Sequence, residues 1–224
     1  MRARFPILAT LLLLFLSDGP VHAAKNLVAD PSFEEPKERD QFGHVFAKWG
    51  GWIYEGECTF RVANVAHSGK HSLLMAGGSG AKIRAWPEKL TLLPGRYRIT
   101  AYLRGLDVGT NGDGQSTEFM FDEKYLPLPL KGTFGWSRIV YVGDLGKRRD
   151  EGIFSFGLLA SGYLWIDDVC VEQVGNDVAP TPLPLAGAEQ QPIAPPGRVD
   201  GTAIHCPECG YRNLPAWEHC YACG

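Results

Sequence analysis

Apolar residues along the middle of the chain come in short alternating runs. Thr59–Ala63 alternates. Residues 97–104 do so more fully, with Tyr97, Ile99, Ala101 and Leu103 on one side and Arg98, Thr100, Tyr102 and Arg104 on the other. A period of two marks a strand with one buried and one exposed face. Residues 117–121, 137–142, 153–159 and 163–174 carry further strand patterns. Trp86 shares its parity with Arg84 on a run whose other side shows Ile83 and Ala85. Pro94-Gly95, Asn111-Gly112 and Asp113-Gly114 are turn dipeptides between these runs. No window of helical length keeps a 3.6-residue apolar period. The pattern predicts an all-β domain over residues 26–174, an antiparallel β-sandwich such as a jelly roll.

The ends of the chain read differently. Arg2 and Arg4 precede an apolar run from Phe5 to Leu16, and Val21-His22-Ala23 follows as a small-residue cleavage pattern. This is the layout of a signal peptide over residues 1–23, cut after Ala23. The run is shorter than the roughly 20 apolar residues a bilayer span needs. The expected product is secreted or held in the periplasm or cell envelope, with no membrane segment after cleavage. Residues 175–204 carry Pro180, Pro182, Pro184, Pro192, Pro195 and Pro196 with few aromatics, the composition of a Pro-rich linker.

Charge narrows the partners. With 22 basic and 25 acidic residues the formal charge is −3, which gives no electrostatic footprint for nucleic acid. The six cysteines are placed unevenly, four of them in the last nineteen residues. Cys206, Cys209, Cys220 and Cys223 form Cys-x-x-Cys, ten residues, Cys-x-x-Cys, with Gly210 and Gly224 after each pair. Two such knuckles supply four thiolates for a closed, tetrahedral structural Zn²⁺ site. A piece as short as residues 205–224 holds almost no core, so metal would supply most of its folding free energy. An oxidising compartment offers two disulfides as the alternative; the spacing and the glycines favour zinc. The segment has one Arg and no Lys, so its expected partner is another protein. Cys58 shares parity with Phe60 and Val62, whereas Cys170 is out of phase with Val169 and Val171. That disfavours Cys58–Cys170 pairing but leaves it open.

The order of motifs over residues 26–174 resembles the carbohydrate-binding modules appended to bacterial cellulases and xylanases, families 4, 9 and 22 and their relatives. The carriers are Asn26-Leu27-Val28, Ser32-Phe33-Glu34, Trp49, and His67-Ser68-Gly69-Lys70-His71-Ser72-Leu73. Leu93-Pro94-Gly95-Arg96-Tyr97 follows, then Trp136, and finally Leu164-Trp165-Ile166-Asp167-Asp168-Val169. The resemblance implies a jelly roll and a structural Ca²⁺ held by Glu34, Asp167 and the backbone carbonyl of Lys70. Two carboxylates with carbonyls and water suit calcium's demand for six to eight oxygens. It also implies that an aromatic at Tyr102 stands on the concave, ligand-facing sheet. The C-terminal stretch is similar to the short zinc ribbons found at bacterial protein termini.

A sugar site needs exposed rings to cover pyranose C–H faces and polar groups to select hydroxyls. Trp52, Tyr54, Trp86 and Tyr102 are the candidate rings; Trp49, Trp136 and Trp165 are expected in the core or at sheet ends. The ligand-binding set drawn from these is Trp52, Trp86, Tyr102 and Arg104, with polysaccharide as the partner. Catalysis has little basis. Glu55 and Glu57, Glu34-Glu35 and Asp167-Asp168 are carboxylate pairs of the kind glycosidases use, but any acidic sandwich offers them. No nucleophile elbow, zinc-protease His pair or phosphate loop occurs. The expected function is a non-catalytic exported binding module. An envelope protein with the same fold and no sugar site is the alternative, and a small glycoside hydrolase the third reading.

Overall fold

In a computed structural model of the chain, residues 25–41, 43–183 and 185 are described, together with the backbone of 204–205 and 212–213. Ten strands make two five-stranded sheets. They are β1 (Trp49–Glu55), β2 (Cys58–Ala63), β3 (Ser72–Gly77), β4 (Lys82–Pro87), β5 (Gly95–Val108), β6 (Thr117–Phe121), β7 (Lys124–Leu128), β8 (Gly132–Leu145), β9 (Phe154–Leu158) and β10 (Gly162–Val174). Sheet A runs β1-β4-β9-β6-β7 and sheet B runs β2-β3-β10-β5-β8. Every pairing is antiparallel and the chain passes repeatedly from one sheet to the other. This is a β-sandwich, and its strand order is consistent with a jelly roll. Among the described residues there is no helix, hence none long and apolar enough to cross a membrane.

The alternating pattern places the core. Tyr97, Ile99, Ala101 and Leu103 of β5 are buried against Ile83 and Ala85 of β4 and the Phe154, Phe156 and Leu158 side of β9. A block of aromatic rings fills one end: Phe33 lies 4.6 Å from the Trp49 ring and 5.2 Å from Phe46, and Phe119 meets Phe156 at 5.5 Å. The Trp49 indole donates to the carbonyl of Asp30 at 3.0 Å, which satisfies its N–H inside the core. Such offset and edge contacts suit the ring quadrupoles.

One irregularity decides which way the end of β10 faces. Asp167 opposes Tyr102 while Cys170 opposes Thr100, so β10 carries one extra residue. Asp168 takes it up in a left-handed conformation, with φ of 46°. This β-bulge keeps Leu164, Ile166, Val169 and Val171 all in the core and turns Cys170 outward. Both Cys58 and Cys170 are free thiols. Cys58 aligns through Gly77 with Gly162, at the far end of β10 from Cys170. At about 3.3 Å per residue the two are roughly 25 Å apart, beyond any disulfide.

Both flanks of the domain are tied down. Beyond Ile166, β3 no longer reaches β10, and residues 26–31 take over that edge. Asn26 bridges it, donating to the Val169 carbonyl at 2.9 Å and accepting from the Val171 amide at 3.0 Å. On the other side, the Arg96 guanidinium donates to the carbonyls of Asn176 and Val178 at 2.9 and 2.7 Å. The Thr181 amide then donates to the Val142 carbonyl at 2.9 Å. The stretch expected to leave the domain at residue 175 is therefore held along β8 as far as Thr181, and Leu185 packs on the core. This covers an edge strand whose backbone would otherwise be open for pairing.

Residues 1–23 and the four C-terminal cysteines, Cys206, Cys209, Cys220 and Cys223, lie outside the described residues. The backbones of Ile204–His205 and Arg212–Asn213 pair antiparallel and bracket the first Cys-x-x-Cys.

Candidate functional site

The outer face of sheet A carries the exposed rings. Alternation on β1 sends Trp49 and Gly51 inward and leaves Trp52 and Tyr54 out, at 52% and 48% exposure. Trp52 sits opposite Arg84 of β4, which faces Gly157 of β9, which faces Glu118 of β6. Two residues along, Trp86 of β4 stands on the same face, and Tyr125 of β7 opposes Met120 at 56% exposure. The central strand contributes only small side chains to this face, Ser155 and Gly157, and both are buried beneath the longer side chains of β4 and β6.

An ion pair crosses this face. Arg84 Nε donates to Glu118 Oε1, with the two side chains only 12% and 7% exposed. The guanidinium also lies between two rings, 4.9 Å from the Tyr54 centroid and 4.7 Å from that of Tyr125. Both are cation–π distances. Gly157 makes the crossing possible. A Cβ there would stand 2.7 Å from Glu118 Cγ and 3.0 Å from its Oε1, so the pair needs a residue without a side chain beneath it.

A polar cleft of about 420 Å³ at one end of this face is lined by Glu55, Lys82, Arg84, Asn111, Asp113 and Glu118. Asn111 Oδ1 accepts the amides of Asp113 and Gln115 at 3.0 and 2.9 Å, which orders the Asn-Gly-Asp-Gly turn at its mouth. A second cleft of about 250 Å³ at the other end is bounded by Trp86, Glu88, Lys89 and Glu151. Aromatic surface beside hydrogen-bonding groups is what binding a sugar chain requires.

The four expected ligand-binding residues do not form one site. Trp52 and Trp86 are on sheet A, whereas Tyr102 and Arg104 are on β5 in the outer face of sheet B, across the sandwich. Tyr102 is not an open platform either: the His67 ring stacks on it at 3.6 Å and 14°, and Trp136 meets His67 edge-on at 5.8 Å. The Arg104 guanidinium lies 5.2 Å over the Trp165 ring, which is fully buried. Of the tryptophans expected inside, Trp49 and Trp165 are buried and Trp136 is half-buried. Tyr54, Glu118 and Tyr125 stand beside Arg84 on sheet A and are outside the expected ligand-binding set. Tyr125 lies in a strand containing Pro127, a residue that weakens any strand pattern yet is tolerated on an edge strand such as β7.

Glu34, Lys70 and Asp167, the expected calcium ligands, gather around the turn at residues 67–71. Glu34 Oε1 accepts the amides of Lys70 and His71 at 2.7 and 2.9 Å. Gly69, with φ of +67°, brings the turn so close that a Cβ would stand 2.3 Å from that oxygen. Asp167 Oδ2 accepts the amides of His67 and Ser68, and Oδ1 accepts that of Asp168. Burial pushes the Asp167 carboxyl up to about 6, and the neighbouring Asp168 charge adds to it, while the three amides pull the other way. Asp168 is held low despite partial burial by His67 Nδ1, Ser32 Oγ and Ser68 Oγ, each at 2.6 Å. Among the described residues no three His, Cys, Asp or Glu side chains are grouped to hold a metal. The turn thus brings the expected ligands together, but with their oxygens on backbone N–H donors and the Lys70 amide, not its carbonyl, facing Glu34.

No protein-family model matches the chain, and no curated protein matches it. Solved structures do show similarity. A structure of TmCBM61 in complex with β-1,4-galactotriose is 16% identical, with 67% of this chain and 100% of that chain covered, at a TM-score of 0.40. The CBM22-1 xylan-binding domain from Paenibacillus barcinonensis Xyn10C is 14% identical over 68% and 96%, at 0.44. The enzymatically active domain of bacteriophage CBA120 tailspike protein 4 is 16% identical over 66% of this chain but 21% of that one, at 0.44. Likenesses this distant assign no family, and the reading of this chain rests on its own geometry.

Proposed function

We propose that the outer face of sheet A binds a polysaccharide and that the protein is an exported, non-catalytic binding module. The observation that carries this is the row of exposed rings, Trp52, Tyr54 and Tyr125, around the Arg84–Glu118 pair and beside the polar cleft. Trp52 supplies an open ring for the apolar face of a pyranose. Asn111, Lys82 and Glu55 at the cleft supply hydrogen bonds to hydroxyls. Glu118 is locked onto Arg84, which leaves it poorly placed as a general acid. The C-terminal cysteines belong to the same proposal as a zinc ribbon for protein contact. The antiparallel pairing of 204–205 with 212–213, which lie on either side of the first Cys-x-x-Cys in the sequence, supports it.

Affinity electrophoresis against a panel of soluble glycans tests the reading. At least one glycan is expected to retard the protein, Trp52→Ala and Tyr125→Ala to abolish that retardation, and Tyr102→Ala to leave it intact. Retardation by no glycan, or loss with Tyr102→Ala alone, would overturn it.

A further inference from the structure

The outer face of sheet B departs from the solvated far side an antiparallel sheet usually keeps. Register lines up Arg61 of β2, Leu74 of β3, Trp165 of β10 and Arg104 of β5 in one row across four strands. Their neighbours Leu73, Met75, Leu164, Ile166 and Leu103 fill the core, so this row points away from it. Leu74 and Trp165 are fully buried all the same, and Leu106, two residues beyond Arg104, is 1% exposed. The ten strands form two layers, so none of them covers the row. The buried Trp165 Nε1 and Arg61 Nε have no acceptor among the described residues, whereas buried donors nearly always find one. Beside the row, Thr59, Ala76 and Tyr163 line a cleft of about 550 Å³.

We propose that the C-terminal segment, residues 204–224, docks on this face of its own sandwich as a third layer. The proposal rests on the reading of that segment as a protein-contact element and names its partner; it is independent of the glycan site. Three features fit this occupant. The chain leaves the domain in the right direction: Arg96, opposite Asp144, holds the carbonyls of Asn176 and Val178, and Thr181 then bonds Val142, so residues 176–181 run along β8 toward the Arg104 end of the sheet. From Leu185 to Ile204 are nineteen residues of Pro-rich chain, a reach of up to roughly 60 Å, against about 19 Å for the four strand spacings from β8 to β2. The segment also brings Tyr211, Leu214, Trp217 and Tyr221, apolar side chains that so short a piece has no core to bury. Finally, residues 186–224 hold Glu189, Asp200, Glu208 and Glu218 against Arg198 and Arg212, while the row holds two arginines and no acid. Carboxylates and carbonyls of the segment supply the acceptors that Arg61 and the Trp165 indole lack.

Nuclear Overhauser contacts in the isotope-labelled full chain test the docking. The Trp165 indole and the Leu74 methyls are expected to show contacts to Leu214 or Trp217. These should persist on dilution and be absent between labelled and unlabelled chains in a mixed sample. In Arg61→Glu the amides of residues 205–224 are expected to exchange with solvent at least about fivefold faster, the effect of reversing one charge in a hydrated pair. The amides of β5 and β10 should keep their wild-type rates and so report an intact sandwich. No contact between this face and residues 204–224 would overturn the docking, as would contacts seen only between different chains, which would make the occupant a second copy. Unchanged exchange of residues 205–224 in a folded Arg61→Glu would also count against it. Zinc content and thiol count of the same sample read the metal separately: zinc without the contacts refutes only the docking, and contacts with paired, metal-free cysteines refute only the zinc.

Discussion

The Arg84–Glu118 pair gives the sharpest energetic test of the outer face of sheet A. Its side chains are 12% and 7% exposed, so both charges have given up most of their water. Arg84→Met keeps the length of the side chain and removes the charge, leaving the Glu118 carboxylate buried without a partner. Breaking a buried pair in this way costs about 3–5 kcal/mol. The residual exposure of Arg84 argues for the lower end, about 3 kcal/mol, or a fall in Tm of roughly 6–12 °C for a domain of this size. Replacing both charges at once, Arg84→Met with Glu118→Leu, removes the pair and the desolvation cost together, and is expected to be neutral or stabilising by about 1–4 kcal/mol. Urea unfolding of the wild type, both single variants and the double variant, followed by tryptophan fluorescence, gives the coupling directly. If Arg84→Met costs under about 1 kcal/mol and the two substitutions simply add, the pair is a solvated surface contact. The reading of the pair as a buried crossing over Gly157 then fails.

Further outcomes follow from the same geometry. Gly157→Ala pushes a methyl against Glu118, so it should cost about 1–3 kcal/mol by overpacking and weaken glycan binding; wild-type stability and affinity would refute the crossing. Asp167 is raised from 3.8 to about 6 in the fold, so the folded state holds the extra proton between those values. Its contribution is therefore present below about 4 and lost as pH rises through about 6. Urea midpoints of calcium-free protein should fall over that window, and Asp167→Asn should remove the fall; an unchanged slope in the variant would contradict it. We propose that Ca²⁺ replaces the amide contacts of Glu34 and Asp167, so that calcium raises the Tm relative to chelator and Asp167→Asn abolishes the rise. A Tm indifferent to calcium means the amides alone satisfy the turn. Metal analysis should find about one zinc per chain, and thiol titration of the folded protein should count Cys58 and Cys170 as reduced. Metal-free protein with only those two thiols would mean two C-terminal disulfides.

Much of the fold was legible because strands advertise a period of two. Tyr97 to Leu103 of β5 fall inside and Arg98 to Arg104 outside as their alternation requires. Residues 117–121 match β6 at both ends. Sequence alternation assigns a residue to one side of its own strand but does not say which sheet that strand joins. Tyr102 and Trp86 both face outward as their alternation requires, yet β5 and β4 lie in different sheets, which puts the two rings on opposite faces of the sandwich. The stack of His67 on Tyr102 was equally hidden, since it comes from the turn at 67–71 folding over β5 and involves no local pattern. The bulge at Asp168 had no signature either, because an aspartate there takes a conformation usually left to glycine. The Arg84–Glu118 crossing depends on β9 lying between β4 and β6, a long-range pairing that spacing along the chain does not encode.

The central claim is that sugars bind sheet A and not sheet B. Indole N–H signals in a ¹⁵N-resolved NMR titration with the retarding glycan read both faces at once. The account predicts that the signals of Trp52 and Trp86 shift with saturation while those of Trp136 and Trp165, on the other sheet, stay in place. Movement of Trp136 or Trp165 with Trp52 and Trp86 unchanged would contradict it.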